Sequence, residues 1–380
     1  MVAPLQEVAP LRLAALTTLA TGGAPERMLE ARTTEAVIEA LRDTWRRGDE
    51  WMVLGGGSNL FAGDEGFEGT VVRVLTEGID ELPSPHPGRI RLRVQAGHGW
   101  DDLVAYAVAH GYAGLEAMSG IPGTVGAAPV QNIGAYGQEI QETLVEVELI
   151  DEADGEVRIV PAAELGLGFR TSVFKHHYGS EPQRRAVILS ITVDLLVASE
   201  RVVRGEQLRR ALTLGDDAPV PLTWVRERIL ETRASKGMLW NETDADTHGV
   251  GSFFQNAIVT EAVARALPAE CPRWPVTPDL DALTVIPLES YGGVLPVPRR
   301  EQADVKVSAA WLIEHAGIGK GFHLPRSRAS VSTKHALSLT NRGGATAAEV
   351  AELARFIQNR VHSEFGLVLQ PEPVLVGVEL

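Results

Sequence analysis

Three short runs hold side chains that could do chemistry: FRTSVFK (169–175), GSFFQN (251–256) and LQPEP (369–373). Arg170 offers a planar guanidinium that suits a carboxylate or a phosphate, and Ser172, Lys175, His176 and His177 follow it. Taken alone, the same run reads as a basic, solvated turn. The paired histidines are a weak argument for a metal, because adjacent side chains on a strand point to opposite faces. Ser252 and Asn256 flank two phenylalanines directly after a Gly-x-Gly. A hydroxyl there is either a proton donor in a dry cleft or a satellite of the core, and the run by itself favours the core. Glu372 sits between Pro371 and Pro373 in an apolar stretch, a costly position for a carboxylate without a partner or a task.

Two glycine-rich runs are candidates for holding a ligand. Gly111 to Ile140 contains seven glycines, two prolines and the polar trio Gln131, Asn132 and Tyr136. It has too little side chain for a core of its own and too many residues that permit positive φ for regular structure. It is either a long surface loop or a cradle whose amides face an anionic, extended ligand such as a pyrophosphate, each glycine removing a Cβ that would hold the ligand away. GGGSN (55–59) follows the apolar run WMVL, a βα-type phosphate turn in outline, although neither the GxGxxG spacing nor a Walker lysine is present.

Composition narrows the partners. The formal net charge of −15 argues against nucleic acid and against an anionic membrane surface, both of which reward a basic face. A phosphate ligand must therefore be met by local cations. Cys271 is the single cysteine, which leaves no internal disulfide framework or cysteine-rich metal site; no metal is expected. The opening segment lacks the pattern of an export signal, and no run of about 18 apolar residues occurs, so a cytoplasmic chain is expected. A length of 380 residues with 44% hydrophobic and 22% charged content fits two or three ordinary globular domains.

Several elements must position these groups. Val37, Leu41 and Trp45 predict a helix over 33–47 that ends near Gly48. Strands are expected at 51–54, 71–75 and 89–97, with ELPSPHPG (81–88) as an exposed connection. A helix over Trp100 to His110 stops at Gly111. LVEVELI and EVRIV form a hairpin, and AVILSITVDLL is a long alternating strand, all antiparallel signals. Further helices are expected at 222–234, on Leu222, Val225, Ile229 and Leu230, and at 308–317. A capping box at Thr346 and Glu349 opens a long helix that closes at Gly366.

The order of VLGGGSNL, SGIPGTVGAAPVQNIGAYGQEI, FRTSVFK, GSFFQN, AAWLIEHAGIGKGF and LQPEPVLVG resembles the UDP-N-acetylenolpyruvoylglucosamine reductase (MurB) family from about Leu19 to Gly377. The resemblance implies an α+β chain with the FAD-binding fold of the vanillyl-alcohol-oxidase/MurB type. It implies two FAD-binding subdomains, 1–75 with 366–380 and 76–232, and an α+β substrate-binding domain, 233–365. It also implies that NADPH reduces FAD, which then passes hydride to the enolpyruvyl group of UDP-GlcNAc-enolpyruvate to give UDP-N-acetylmuramate for peptidoglycan synthesis. Residue by residue, FAD would lie against Gly55, Gly56, Gly57, Ser58 and Asn59 and against Ser119, Gly120, Ile121, Pro122, Gly123, Thr124, Gly126 and Ala127. Arg170 and Glu372 would hold the substrate carboxylate, and Ser252 would deliver a proton to the α-carbon. Lys236 and Asn256 would contact the sugar nucleotide. Where one branch of the family has a tyrosine over the diphosphate, VVRGEQL carries Arg204, which would take over that contact. A monomer is expected. The competing readings are an FAD-dependent oxidase of the same fold and a non-catalytic nucleotide-sugar binding protein.

Overall fold

The computed structural model describes residues 3–175, 183–203, 206–214, 219–276 and 304–380. Chain order explains the first layer. Leu5–Val8, Pro25–Ala31, Trp51–Leu54 and Phe67–Val74 form a four-stranded sheet in which Phe67–Val74 runs parallel to both Pro25–Ala31 and Trp51–Leu54. Thr34–Arg47 crosses over between two of these strands as a helix, as its spacing predicts. Thr33 Oγ1 accepts from the Ala36 amide and Gly48 closes the helix with φ 72°, the signals that start and stop a helix locally. Its buried face, including Val37, Ala40 and Leu41, packs on Leu29, Val72 and Val74.

The second layer is a six-stranded sheet of antiparallel pairs. Ala186–Val197 lies at its centre between Leu144–Asp151 and Arg89–Gln95. The predicted hairpin of Leu144–Asp151 with Val157–Pro161 forms as read. The proline-rich connection does not: Ile79–Pro83 is an edge strand paired with Arg89–Gln95, with Pro83 at the strand end, where a missing N–H costs no ladder bond. Trp100–Ala109 packs its Leu103, Val104 and Ala107 against this sheet.

The expected phosphate turn is also corrected. GGGSN is followed by a strand, Leu60–Ala62, and not by a helix; that strand pairs in parallel with Val374–Val376 at the far end of the chain. Local reading could not find this, because the partner lies more than three hundred residues away. The Gly111 to Ile140 stretch holds short 3₁₀ turns and two-residue strands.

The C-terminal part has its own core around Phe253, Phe254, Leu312, Val350 and Ile357, into which Leu19 and Phe61 of the first layer are also buried. Ala347–Phe365 is the long helix. Thr346 and Glu349 cap each other reciprocally, and the Asp64 carboxylate accepts from the Ala347 and Ala348 amides at 2.9 and 3.2 Å, so a loop of the first layer supplies an anion at the positive end of the helix. Thr346→Ala is expected to lower stability by about 1 kcal/mol, read as a shift of the urea midpoint at unchanged slope; no shift would remove the cap from the account.

Candidate active site

One cavity of about 570 Å³ is lined by residues from every part of the chain: Gly55 to Asn59, Ile121 to Thr124, Tyr136, Arg170, Lys175, Arg233, Lys236, Ser252 and Glu372. The expected catalytic trio therefore shares one cleft. Each member arrives by a different route.

Glu372 is placed by backbone pairing. Its amide donates to Phe253 O at 2.8 Å, and the Gln255 amide donates to Gln370 O at 3.0 Å. Pro371 and Pro373 have no N–H, so beyond Gln370 only the amides of Glu372 and Val374 are on offer, and the second donates to Asn59 O at 2.9 Å. The same pairing fixes Ser252, one residue before Phe253, next to Gly251 at φ 75°. The Glu372 carboxylate meets Arg170 Nε at 3.2 Å, with both side chains largely buried, which answers why a carboxylate sits in an apolar run.

Arg170 is held from the other side. Its terminal nitrogens donate to Asn132 O and Gly134 O at 3.2 and 2.8 Å. Its own φ is 59°, a left-handed conformation that a non-glycine residue adopts at a cost. The buried Asn132 in turn donates to Glu139 and to Gly168 O. Much of the glycine-rich stretch thus serves as a frame for this guanidinium.

The glycines have a different reason from the one the sequence implied. A Cβ on Gly55 would stand 2.2 Å from Thr124 Oγ1, one on Gly56 2.8 Å from Gly123 Cα, one on Gly57 2.0 Å from Leu16 O, and one on Gly126 2.6 Å from Ala96 Cβ. These positions need glycine because two loops close on each other and on the sheet, before any ligand is considered. No backbone hydrogen bond engages the amides of Gly56, Gly57 and Ser58 among the described residues, so this loop can serve an anion as expected.

Three expected contacts change. Ser119 is fully buried and gives its hydroxyl to Glu116 O. The Gly120 amide donates to Asp101 Oδ1 at 2.6 Å, an acid already bound by both arms of Arg226. Both residues lie behind the cavity wall, and Ile121 to Thr124 form the surface instead. The amides of Ile121, Gly126 and Ala127 are also donated within the chain; these residues offer shape more than donors. Asn256, expected on the sugar nucleotide, is outside the lining, its Oδ1 accepting from the Ala309 amide at 3.0 Å, where it holds the start of Ala309–His315. Arg204, His176 and His177 lie outside the described residues.

Lys236 does line the cavity, with Nζ 5.8 Å from the ring centre of Tyr136. Two cations were not assigned from sequence. Arg233 is buried, its Nε has no partner among the described residues, and burial lowers its affinity for the proton. The signal was available, since Arg233 continues the stripe of Leu222, Val225 and Ile229 one turn further, where an apolar residue would be expected. A buried guanidinium nitrogen without a partner fits an anionic ligand. Nearby, burial first and then Lys236, Lys320 and Arg233 hold His335 down at about 4. Lys175, the other cation, bonds Gln131 and Glu372.

An FAD-sized cofactor needs apolar walls for a ring system and unpaired amides for a pyrophosphate. Val53, Leu54, Trp100, Val130, Ile133 and Ile188 supply the first, and Gly56 to Ser58 the second. Residues 25–160 match the model for an FAD binding domain, and residues 243–376 match that for the C-terminal domain of UDP-N-acetylenolpyruvoylglucosamine reductase. The fold and cleft therefore define an FAD-binding oxidoreductase. The chain is 50% identical to UDP-N-acetylenolpyruvoylglucosamine reductase of Leifsonia xyli subsp. xyli, over 98% of this chain and 99% of that protein. It is 41% identical to the protein of that name from Mycobacterium tuberculosis, over 100% and 97%. The crystal structure of the Thermus caldophilus reductase superposes with a TM-score of 0.62 at 23% identity, covering 98% of this chain and 99% of that one, and supports the fold. The chain belongs to the UDP-N-acetylenolpyruvoylglucosamine reductase family, with its FAD-binding fold and C-terminal domain.

Gly55→Ala is expected to yield protein that loses FAD on gel filtration, and Thr124→Ala in the same chain to restore retention by removing the hydroxyl that the new methyl strikes. Full retention in the single variant would show that the two loops need not touch.

Proposed function

We propose that this chain reduces the enolpyruvyl group of UDP-GlcNAc-enolpyruvate at the expense of NADPH, as a UDP-N-acetylmuramate dehydrogenase, and that it works as a cytoplasmic monomer. Among the described residues no helix is long and apolar enough to cross a membrane. The observation that carries the reading is the convergence of Arg170, Ser252 and Glu372 on the cavity that the glycine loop also lines. The chemistry that bound FAD supplies is two-electron transfer from NADPH to the enolpyruvyl double bond.

The protein's own residues handle charge and the proton. Addition at the methylene leaves negative charge on the α-carbon and its carboxylate, and groups placed beforehand stabilise such charge at the least reorganisation cost. Arg170, fixed by two carbonyls and Glu372, offers its remaining donor capacity to the carboxylate. Glu372 orients the guanidinium; by itself it would repel a second carboxylate. Ser252 then gives its hydroxyl proton to the α-carbon. A hydroxyl is a weak acid, so positive charge in the same cleft, that of Arg170, is needed to steady the oxygen as it loses the proton. In the same cavity Arg233 and Lys236, the latter over the Tyr136 ring, would meet a diphosphate. The local positive charge is what a ligand with two phosphates requires from a chain of net charge −15.

Anaerobic mixing separates the two half-reactions: NADPH should bleach the bound flavin, and the enolpyruvyl sugar nucleotide should restore its colour. Ser252→Ala is expected to keep the bleaching and to slow recolouring by roughly 100-fold or more, the scale of a lost acid catalyst; equal loss of both would count against the proton role. Glu372→Gln should lower kcat far more than it raises KM. Unchanged turnover would take Glu372 out of the mechanism.

A further inference from the structure

We propose that Lys175 is a positioning residue for reduction of the enolpyruvyl substrate, locking the segment that carries Glu372 to the glycine loop that holds the cofactor. The proposal deepens the reading of the reaction given above and rests on it. Lys175 Nζ donates to Glu372 O at 2.5 Å and to Gln131 Oε1 at 2.7 Å. The same Gln131 oxygen accepts from Asn59 Nδ2 at 2.7 Å. Asn59 O accepts from the Val374 amide at 2.9 Å, two residues on from Glu372. These contacts close a ring: Lys175 to Glu372, along the chain to Val374, across to Asn59, to Gln131, and back to Lys175.

An ammonium suits this node because it carries three donors on one atom and can serve two acceptors from a single position. A thioether at the end of a similar stem can donate to neither. Its presence is not free: among the described residues no carboxylate pairs with it at contact distance, and a buried charge is then costly. Burial draws the Lys175 pKa down to about 8; the charged groups that act on it are Glu372, which favours the ammonium, and Arg170, which opposes it. Near neutrality the group is therefore charged, and its charge fades as pH rises through about 8.

Opening the ring would leave Glu372 tied to the Gly55–Asn59 turn only through Val374, free to shift against the glycine loop, and Arg170 would move with it. The substrate carboxylate would then no longer be held in register with the cofactor, and small misplacements of reacting atoms slow a reaction strongly. In the reaction proposed above Arg170 and Glu372 act on the substrate carboxylate, so flavin reduction by NADPH should be spared.

The test uses full-length, FAD-loaded protein in anaerobic rapid mixing. For Lys175→Met, bleaching by NADPH should match wild type, while recolouring by UDP-GlcNAc-enolpyruvate should slow roughly 10- to 100-fold, the value of a hydrogen bond to a charged donor. Gln131→Met should act in the same direction, and the double variant should be no slower than the slower single, because both break one ring. The wild-type rate of recolouring should fall above about pH 8, and Lys175→Met should lack that limb. Recolouring at the wild-type rate in Lys175→Met would overturn the proposal. So would equal slowing of both half-reactions, which marks a general structural role, or fully additive losses in the double variant. Failure of wild-type protein to be recoloured by this substrate would instead refute the assigned reaction and, with it, the role given to Lys175.

Discussion

The run from Gln370 to Val374 is hydrogen-bonded to the serine turn through Phe253 O and the Gln255 amide, to the arginine loop through the Glu372 carboxylate, and to the glycine loop through the Val374 amide. Prolines on both sides of Glu372 leave the run only alternate amides, and those of Glu372 and Val374 have found acceptors in different parts of the chain. Remove this strip and Arg170, Ser252 and the Gly55–Asn59 turn have no common frame. The core reinforces it. Phe61, adjoining the glycine turn, is buried with Phe253 in the C-terminal core, their rings in edge contact at 5.7 Å.

Electrostatics and shape divide the cavity between them. The chain is acidic overall, yet Arg170, Lys175, Arg233 and Lys236 all line one cleft. Burial makes the charge of Lys175 and Arg233 costly and also more effective, because a dry site screens it less; Lys236 is exposed. The apolar walls come from the first two layers, where Leu54 and Ile188 end or cross the sheets. Their contact depends on the missing Cβ atoms of Gly55, Gly56 and Gly126, so the tightest packing in the site lies between protein loops.

How much of this could be read beforehand follows from the range of each interaction. Thr34–Arg47 and Ala347–Phe365 were legible because cap, stripe and stop lie within one stretch. Arg170, Ser252 and Glu372 were identified through ordered motifs, and their meeting depends on contacts the sequence does not display. Lys175 was seen but not placed, since Gln131 and Glu372 lie far from it along the chain. The resemblance assigns Ser119, Gly120 and Asn256 to ligands; only the fold shows that Glu116, Asp101 and the Ala309 amide engage them. The strand after GGGSN escaped for the same reason as its partner at Val374–Val376 was out of reach.

A crystal structure with FAD and the enolpyruvyl sugar nucleotide both bound tests the central claim most directly. The account predicts the substrate carboxylate on Arg170, with Ser252 Oγ within hydrogen-bonding reach of the α-carbon and the diphosphate toward Arg233 and Lys236. A carboxylate bound away from Arg170, or an α-carbon out of reach of Ser252, would contradict it.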